Sequence, residues 1–209
     1  MSDKSSLREA LLKKRDSIPP EVRRTKDRLI QERLESLDEI RNAGVLFLFA
    51  SFRTEVDTLA MIKAALAEGR RVVLPKVDKD RHALLLYEIK HADELSPGYM
   101  GIPEPSVDAE DRLLTVNDVD AVIIPGAGFD PAGCRIGYGA GYYDILLSGL
   151  TKDIPLVSPA YEEQIVDSIP CEPHDVKIHI IVTDRRVIRC KEIRTLQNDK
   201  GRSAEKLLQ

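Results

Sequence analysis

Residues 123–144 read Ile-Ile-Pro-Gly-Ala-Gly-Phe-Asp-Pro-Ala-Gly-Cys-Arg-Ile-Gly-Tyr-Gly-Ala-Gly-Tyr-Tyr-Asp. An apolar run over 120–124 enters this stretch and reads as a buried strand. Residues 142–150 leave it and read as a helix. Six of the chain's 12 glycines lie between Gly126 and Gly141. Glycines between a strand and a helix leave backbone N–H groups bare, and a helix start adds partial positive charge, which together suit a phosphate. The spacing matches no standard phosphate fingerprint. Gly137, Gly139 and Gly141 give G-x-G-x-G, but Tyr142 stands where a dinucleotide fingerprint needs glycine. Gly128 and Gly133 give G-x-x-x-x-G, but Cys134 and Arg135 replace the Lys and Ser/Thr of a P-loop. Without a ligand the stretch is a long glycine-rich turn. The flanking Arg135 and Asp144, a cation beside a backbone nest and a carboxylate just inside a helix, favour a nucleotide with magnesium.

Outward from this stretch, strand and helix patterns alternate. Upstream, residues 5–15 carry Leu7, Ala10, Leu11 and Lys14 at helical spacing. Lys4 and Arg8 share one face of that helix, which on its own is a solvated basic face. Pro19-Pro20 breaks the chain, and Pro20 opens a second helix expected to reach 42, before Gly44. Residues 45–50 are continuously apolar and read as a strand buried on both faces. A loop over 51–55 follows, then a helix capped by Asp57 and ended by Gly69, then a strand over 72–77. That order predicts a parallel crossover and puts Glu55 at a strand's carboxyl end, where open α/β sheets bind ligands. Otherwise Glu55 is a solvent-facing loop carboxylate.

Residues 83–89 read as a strand at an edge, and 96–106, with three prolines, as a loop without regular structure. Downstream, 155–160 reads as a strand, 162–168 as a short helix, 170–174 as a turn, and 177–183 and 186–190 as strands. The polar tail from 198 is expected to fray. His82 and His91 are expected at the surface. His174 and His179 lie in a turn entering a strand, which provides no register for a zinc site. No serine has nucleophile-elbow context. Three of the six tyrosines, Tyr138, Tyr142 and Tyr143, fall in the glycine-rich stretch, where one could face a flat ligand.

At 209 residues, with 43% hydrophobic and 32% charged content, one α/β domain spanning 1–209 is expected. A net charge of −4 implies no general attraction to nucleic acid or membrane. Cys134, Cys171 and Cys190, odd in number and widely spaced, suggest reduced thiols in a cytoplasmic protein. The N-terminal residues have no signal-peptide pattern.

Residues 135–144, with Pro125-Gly-x-Gly-Phe-Asp130 upstream, resemble the signature of the 5-formyltetrahydrofolate cyclo-ligases, the methenyltetrahydrofolate synthetases. The likeness continues in Lys4-Ser-Ser-Leu-Arg8, Glu55-Val-Asp57-Thr58, Gly101-Ile-Pro-Glu-Pro105 and Glu172-Pro-His-Asp175. Single motifs of this kind are weak, and five in order are specific. Ala140 stands where the family usually has Gly or Lys, and His179 where it more often has Asp.

The resemblance implies a single three-layer α/β/α domain with a mostly parallel sheet, of the same broad type as ribose-phosphate isomerases and CoA transferases. It implies ATP- and Mg2+-dependent conversion of 5-formyltetrahydrofolate to 5,10-methenyltetrahydrofolate with release of ADP and phosphate. The alternative it leaves is a non-catalytic relative that binds nucleotide or folate. Carried over, Lys4, Arg8, Arg135, Ile136, Gly137, Tyr138, Gly139, Ala140, Gly141, Tyr142 and Tyr143 hold ATP. Ala50, Glu55, Tyr138, Gly139, Ala140, Gly141 and Tyr142 line the folate side, Arg135 and Tyr142 act at the reacting centre, and Asp144 and Asp175 hold magnesium. The implied assembly is a monomer or weak homodimer.

Overall fold

The computed structural model describes residues 4–172 and 175–190. Helices α1 (Lys4–Asp16), α2 (Pro20–Ser36) and α3 (Asp38–Arg41) precede strand β1 (Val45–Phe47). Helix α4 (Leu59–Ala67) leads to the long strands β2 (Arg71–Asp78) and β3 (Ala83–Ile89). Short strands β4 (Leu95–Pro97), β5 (Pro103–Pro105) and β6 (Leu113–Leu114) follow, then β7 (Ala121–Ile123), β8 (Gly128–Phe129) and β9 (Arg135–Ile136). Helix α5 (Tyr142–Leu147), β10 (Leu156–Ala160), β11 (Ile180–Thr183) and β12 (Val187–Arg189) complete the described chain.

Eight strands form one sheet in the order β12-β11-β10-β7-β1-β2-β3-β6. The five central strands β11, β10, β7, β1 and β2 run parallel to one another, as the strand–helix–strand order requires. Antiparallel strands β12, β3 and β6 flank them. Alternation along the strands feeds two cores. Leu46, Leu48, Val72, Leu74 and Ile123 pack with Ile30, Leu34, Ile40, Met61 and Ile62 of α2, α3 and α4 on one face. Val45, Phe47, Val73, Val122 and Ile181 pack with Leu147 of α5 on the other. The result is the expected helix–sheet–helix layering. Helix α1 belongs to neither face. It docks through Leu11 into a third cluster with Ala127, Cys134, Ile136 and Ile169.

Several expectations need correction. The helix expected over 20–42 is two helices, because Leu37 is extended at φ −72° and ψ 128°. The apolar positions Ile30, Leu34, Leu37 and Ile40 end in two steps of three, which walk off one helical face, and the break at Leu37 returns Ile40 to the core. Strand β3 is not an edge, since β6 lies outside it. The segment 96–106 is an antiparallel hairpin of β4 and β5 around a tight turn, closed by Gly98 N donating to Ile102 O at 2.8 Å. Its prolines hid it. The helix expected at 162–168 is one 3-10 turn, Glu162–Gln164, because Val166 N donates to Phe129 O instead of continuing a helix. The helix expected to 150 ends at Leu147, and Asp57 lies one residue before the cap position, its carboxylate accepting from Leu59 N at 2.9 Å.

The glycine-rich stretch also holds the unexpected β8–β9 hairpin. Strand β1 is shorter than expected, although Leu48, Phe49 and Ala50 continue it as buried chain. His174 and the tail from 198 lie outside the described residues. Among the described residues, no helix is long and apolar enough to cross a membrane.

Candidate functional site

The chain leaves β7 through Pro125, turns through the β8–β9 hairpin and passes residues 137–141 into α5. Two glycines show why the stretch is built as it is. A Cβ on Gly128 would sit 2.2 Å from Leu11 Cδ1, so only glycine lets α1 lie this close. Gly139 has φ +105°, and its open face lies 3.6 Å from the Arg8 guanidinium.

Helix α1 lies along this loop with one stripe of side chains. Lys4 Nζ pairs with Asp175 Oδ2 at 2.8 Å and Glu172 Oε1 at 3.4 Å. Arg8 Nε donates to Gly137 O at 2.8 Å. Leu11 is 1% exposed. Arg15 Nη1 donates to Tyr138 Oη at 2.7 Å. These residues are four, seven and eleven positions after Lys4, one face of a helix with a 3.6-residue turn. The basic face therefore does not project into solvent. The Asp175 carboxylate, ahead of the cost of burial, raises the Lys4 ammonium pKa and keeps it charged.

At the root of the loop, Arg135 Nη2 reaches both oxygens of Asp144 at 3.0 Å, and Nη1 donates to Pro125 O at 3.2 Å. The Arg135 side chain is 4% exposed, and its Nε is buried without a partner among the described residues. The guanidinium lies 5.9 Å from the Tyr143 ring centre. Val176 N donates to Asp144 Oδ1 at 3.4 Å, which ties the turn holding Asp175 to the same carboxylate. Ile136 is a core residue, with its carbonyl taken by Ala127 N. On the outer side, His82 stacks on Tyr142 with ring centres 4.5 Å apart, and its Nε2 lies 3.0 Å from Ala140 O.

Beside the loop, a small open cleft is lined by Arg15, Phe49, Glu55, Tyr138, Pro159 and Gln164 among others. Glu55 is half-buried in its wall and is not a solvent-facing carboxylate. Its Oε2 accepts from Phe52 N at 2.8 Å, and its Oε1 accepts from Tyr138 Oη. Burial pushes the Glu55 carboxyl above the usual carboxylate range, while these two donors and the Arg15 charge pull the other way. Desolvation around the hydroxyl, ahead of the Glu55 charge, raises the Tyr138 phenol pKa, although the residue as a whole is 46% exposed, and it remains a proton donor at neutral pH. Ala50 is buried behind the cleft, and Phe49 forms the wall at that point.

The loop thus gathers Lys4, Arg8, Glu55, Arg135, Tyr138, Tyr142, Asp144 and Asp175 around one glycine-rich turn. Three residues there were not singled out from sequence. Arg15 carried a signal, since it continues the Lys4–Arg8 spacing. His82 and Gln164 carried none. His82 reaches Ala140 across 58 positions, and Gln164 Nε2 donates to Gly126 O at 3.0 Å across 38. His179 Nδ1 accepts from Leu156 N at 3.3 Å inside the sheet, and the described residues hold no metal-binding cluster of three His, Cys, Asp or Glu.

A glycine-rich loop beside a carboxylate-walled cleft, at the carboxyl ends of parallel strands, lies where open α/β sheets bind ligands. The 5-formyltetrahydrofolate cyclo-ligase family matches residues 1–184. The 5-formyltetrahydrofolate cyclo-ligase of Escherichia coli K12 is 30% identical over 83% of this chain and 96% of its own length. That of Mycolicibacterium smegmatis is 28% identical over 88% and 95%. The NMR structure of Aquifex aeolicus 5,10-methenyltetrahydrofolate synthetase superimposes with TM-score 0.80 at 32% identity, covering 96% of this chain and 99% of that one. The Mycoplasma pneumoniae synthetase gives TM-score 0.70 at 25% identity, covering 87% and 99%. The chain belongs to the 5-formyltetrahydrofolate cyclo-ligase family and is an enzyme of the ligase class.

Proposed function

We propose that the chain uses ATP to close 5-formyltetrahydrofolate to 5,10-methenyltetrahydrofolate, releasing ADP and phosphate. The observation that carries this reading is the α1 stripe. It brings Lys4 and Arg8 to the glycine-rich loop and Arg15 to the Glu55 cleft, so that a phosphate-binding region and a ring-binding region adjoin.

The formyl oxygen attacks the γ-phosphorus of ATP, and the bond to ADP breaks. The 10-nitrogen then attacks the formyl carbon and loses its proton, and the carbon–oxygen bond breaks with its electrons leaving on phosphate. A formamide oxygen is a poor leaving group as hydroxide and a good one as phosphate. The reaction needs position and charge neutralisation, with no protein nucleophile.

In this reading Lys4, Arg8 and Arg135 meet phosphate oxygens, and Gly137, Gly139, Ala140 and Gly141 let the backbone come close. Tyr142 and Tyr143 flank the nucleotide. The buried Arg135 Nε, without a partner among the described residues, is one donor left for a ligand. Glu55 accepts from paired N–H groups on the pterin edge, and Tyr138 orients that carboxylate. Asp144 and Asp175 are hard oxygen donors, and two carboxylates with nucleotide oxygens suit magnesium. When bound there, magnesium would neutralise phosphate charge.

The test is purified protein with 5-formyltetrahydrofolate, with and without ATP and magnesium, followed by the near-ultraviolet absorbance of methenyltetrahydrofolate. Product that requires both is expected. Folded, ATP-binding protein with no turnover would overturn the assignment.

A further inference from the structure

Arg15 is the most deeply buried cation facing the cleft, at 6% exposure. Burying a guanidinium is costly unless its donors are used. An apolar side chain at this position would dock α1 against the same surface without that cost. Its donors are used on two sides, Nη1 toward Tyr138 and Nε toward Thr54, whose hydroxyl donates to Asp16. Nε donates to Thr54 Oγ1 at 3.0 Å, Nη1 donates to Tyr138 Oη at 2.7 Å, and Asp16 holds the guanidinium from outside at 3.7 Å. Thr54 is the neighbour of Glu55, and Tyr138 Oη is the donor to Glu55 Oε1.

A phenol has one proton and two lone pairs. With a guanidinium N–H occupying a lone pair, the proton is directed to the carboxylate, and the adjacent positive charge makes the O–H a stronger donor. The line Arg15 → Tyr138 → Glu55 is therefore polarised in one direction. We infer that Arg15 is a positioning residue that fixes the direction and the negative charge of Glu55 through the Tyr138 hydroxyl.

The other groups around Glu55 do not duplicate this role. Tyr143, from α5, is half-buried and neutral, with its phenol pKa raised chiefly by desolvation. Tyr161, from the end of β10, donates to Asp27 Oδ1 at 2.6 Å and touches only the Glu55 main-chain oxygen, at 3.4 Å. Asp27, from α2, and Asp57 bring no positive charge to Glu55, and the Asp27 carboxyl is already taken by the Tyr161 hydroxyl. Arg53 lies against Phe52, 5.0 Å from its ring centre. Arg15 is the cation whose charge opposes the burial of Glu55.

The test follows the Glu55 carboxyl carbon by NMR in ligand-free, full-length protein with 13C-labelled glutamate. Glu55→Gln identifies the signal by its loss. Arg15→Met is expected to raise the Glu55 titration midpoint, and Arg15→Lys to raise it less. Should Arg15→Met fail to fold, Arg15→Lys is compared alone and on Tyr138→Phe. The lysine change is expected to raise the midpoint in the first background and leave it unmoved in the second. A midpoint unmoved by loss of the guanidinium in folded protein, or moved equally with and without the Tyr138 hydroxyl, would overturn the inference.

The kinetic consequence rests on the ligase reading. For Arg15→Met, KM for 5-formyltetrahydrofolate should rise by a factor that grows as pH falls, with kcat and KM for ATP within about twofold of the parent. A purely structural role would raise KM equally at every pH. If Glu55→Gln leaves the folate KM unchanged, the placement of folate at Glu55 falls, while the NMR titration still decides the role of Arg15.

Discussion

Glu55 is a residue whose environment and task pull against each other. Its folded pKa lies above the unfolded value, with burial as the largest cause. The protonated form is thus favoured by the fold. The stabilisation is fully present below the unfolded pKa, about 4.3, and is lost as pH rises through the folded one. At neutral pH the anion is a burden on stability, one that the proposed folate contact would explain. Glu55→Gln should therefore raise the folate KM by about tenfold or more, since a charged acceptor is lost. The same change should leave the thermal midpoint at pH 7 equal or higher, with the gap to the parent closing toward pH 4. A lower midpoint at neutral pH would contradict the burial argument. Lys4, Arg8, Glu55 and Tyr138 were legible in the sequence because each sits in a short local pattern. Arg15 was half legible, through spacing alone. His82 was not, because a hairpin turn carries no record of the distant loop it meets.

At the scale of elements, the contact that organises the site is α1 against β8. Leu11 occupies the space that a Cβ on Gly128 would take. Leu11→Ala should cost about 2–5 kcal/mol by removing a buried side chain, and Gly128→Ala about 1–3 kcal/mol by overpacking. Together they should cost less than their sum, because the smaller residue on α1 makes room for the added methyl. Urea unfolding of the two single variants and the double measures this directly. Additive costs would mean that the helix shifts away from β8 instead of sharing one space. The long periodic elements, α1, β2 and β3, were readable from pattern. The β4–β5 and β8–β9 hairpins were not, since strands of two or three residues leave no periodicity, and prolines and glycines in them read as loop. The break at Leu37 was visible only as an imperfect apolar stripe.

At the scale of the whole molecule, the parallel centre of the sheet followed from the alternation of strands and helices. The strand order did not, because it depends on which partners β7 and β10 find far along the chain. The site joins α1, the loop after β1, the β7–α5 connection and the turn around Asp175. A ligand that bridges these pieces should stabilise the fold as a unit. Mg2+-ATP at a hundredfold its dissociation constant is expected to add about 2.7 kcal/mol, or roughly 5–10 °C in thermal midpoint. A calorimetric scan with and without nucleotide checks it, and an unchanged midpoint at that concentration would argue against nucleotide bound across these elements.

The pairing of Lys4 with Asp175 spans 171 positions. A ribosome adding about 5–20 residues per second puts roughly 10–30 s between the two. Throughout that interval the strands of the sheet can begin to assemble while the first helix waits with its basic stripe in water. A nascent chain stalled before Asp175 would lack this partner for Lys4 together with strands β11 and β12, so this contact of the candidate site and the last two strands of the sheet are completed in the same late stretch of synthesis.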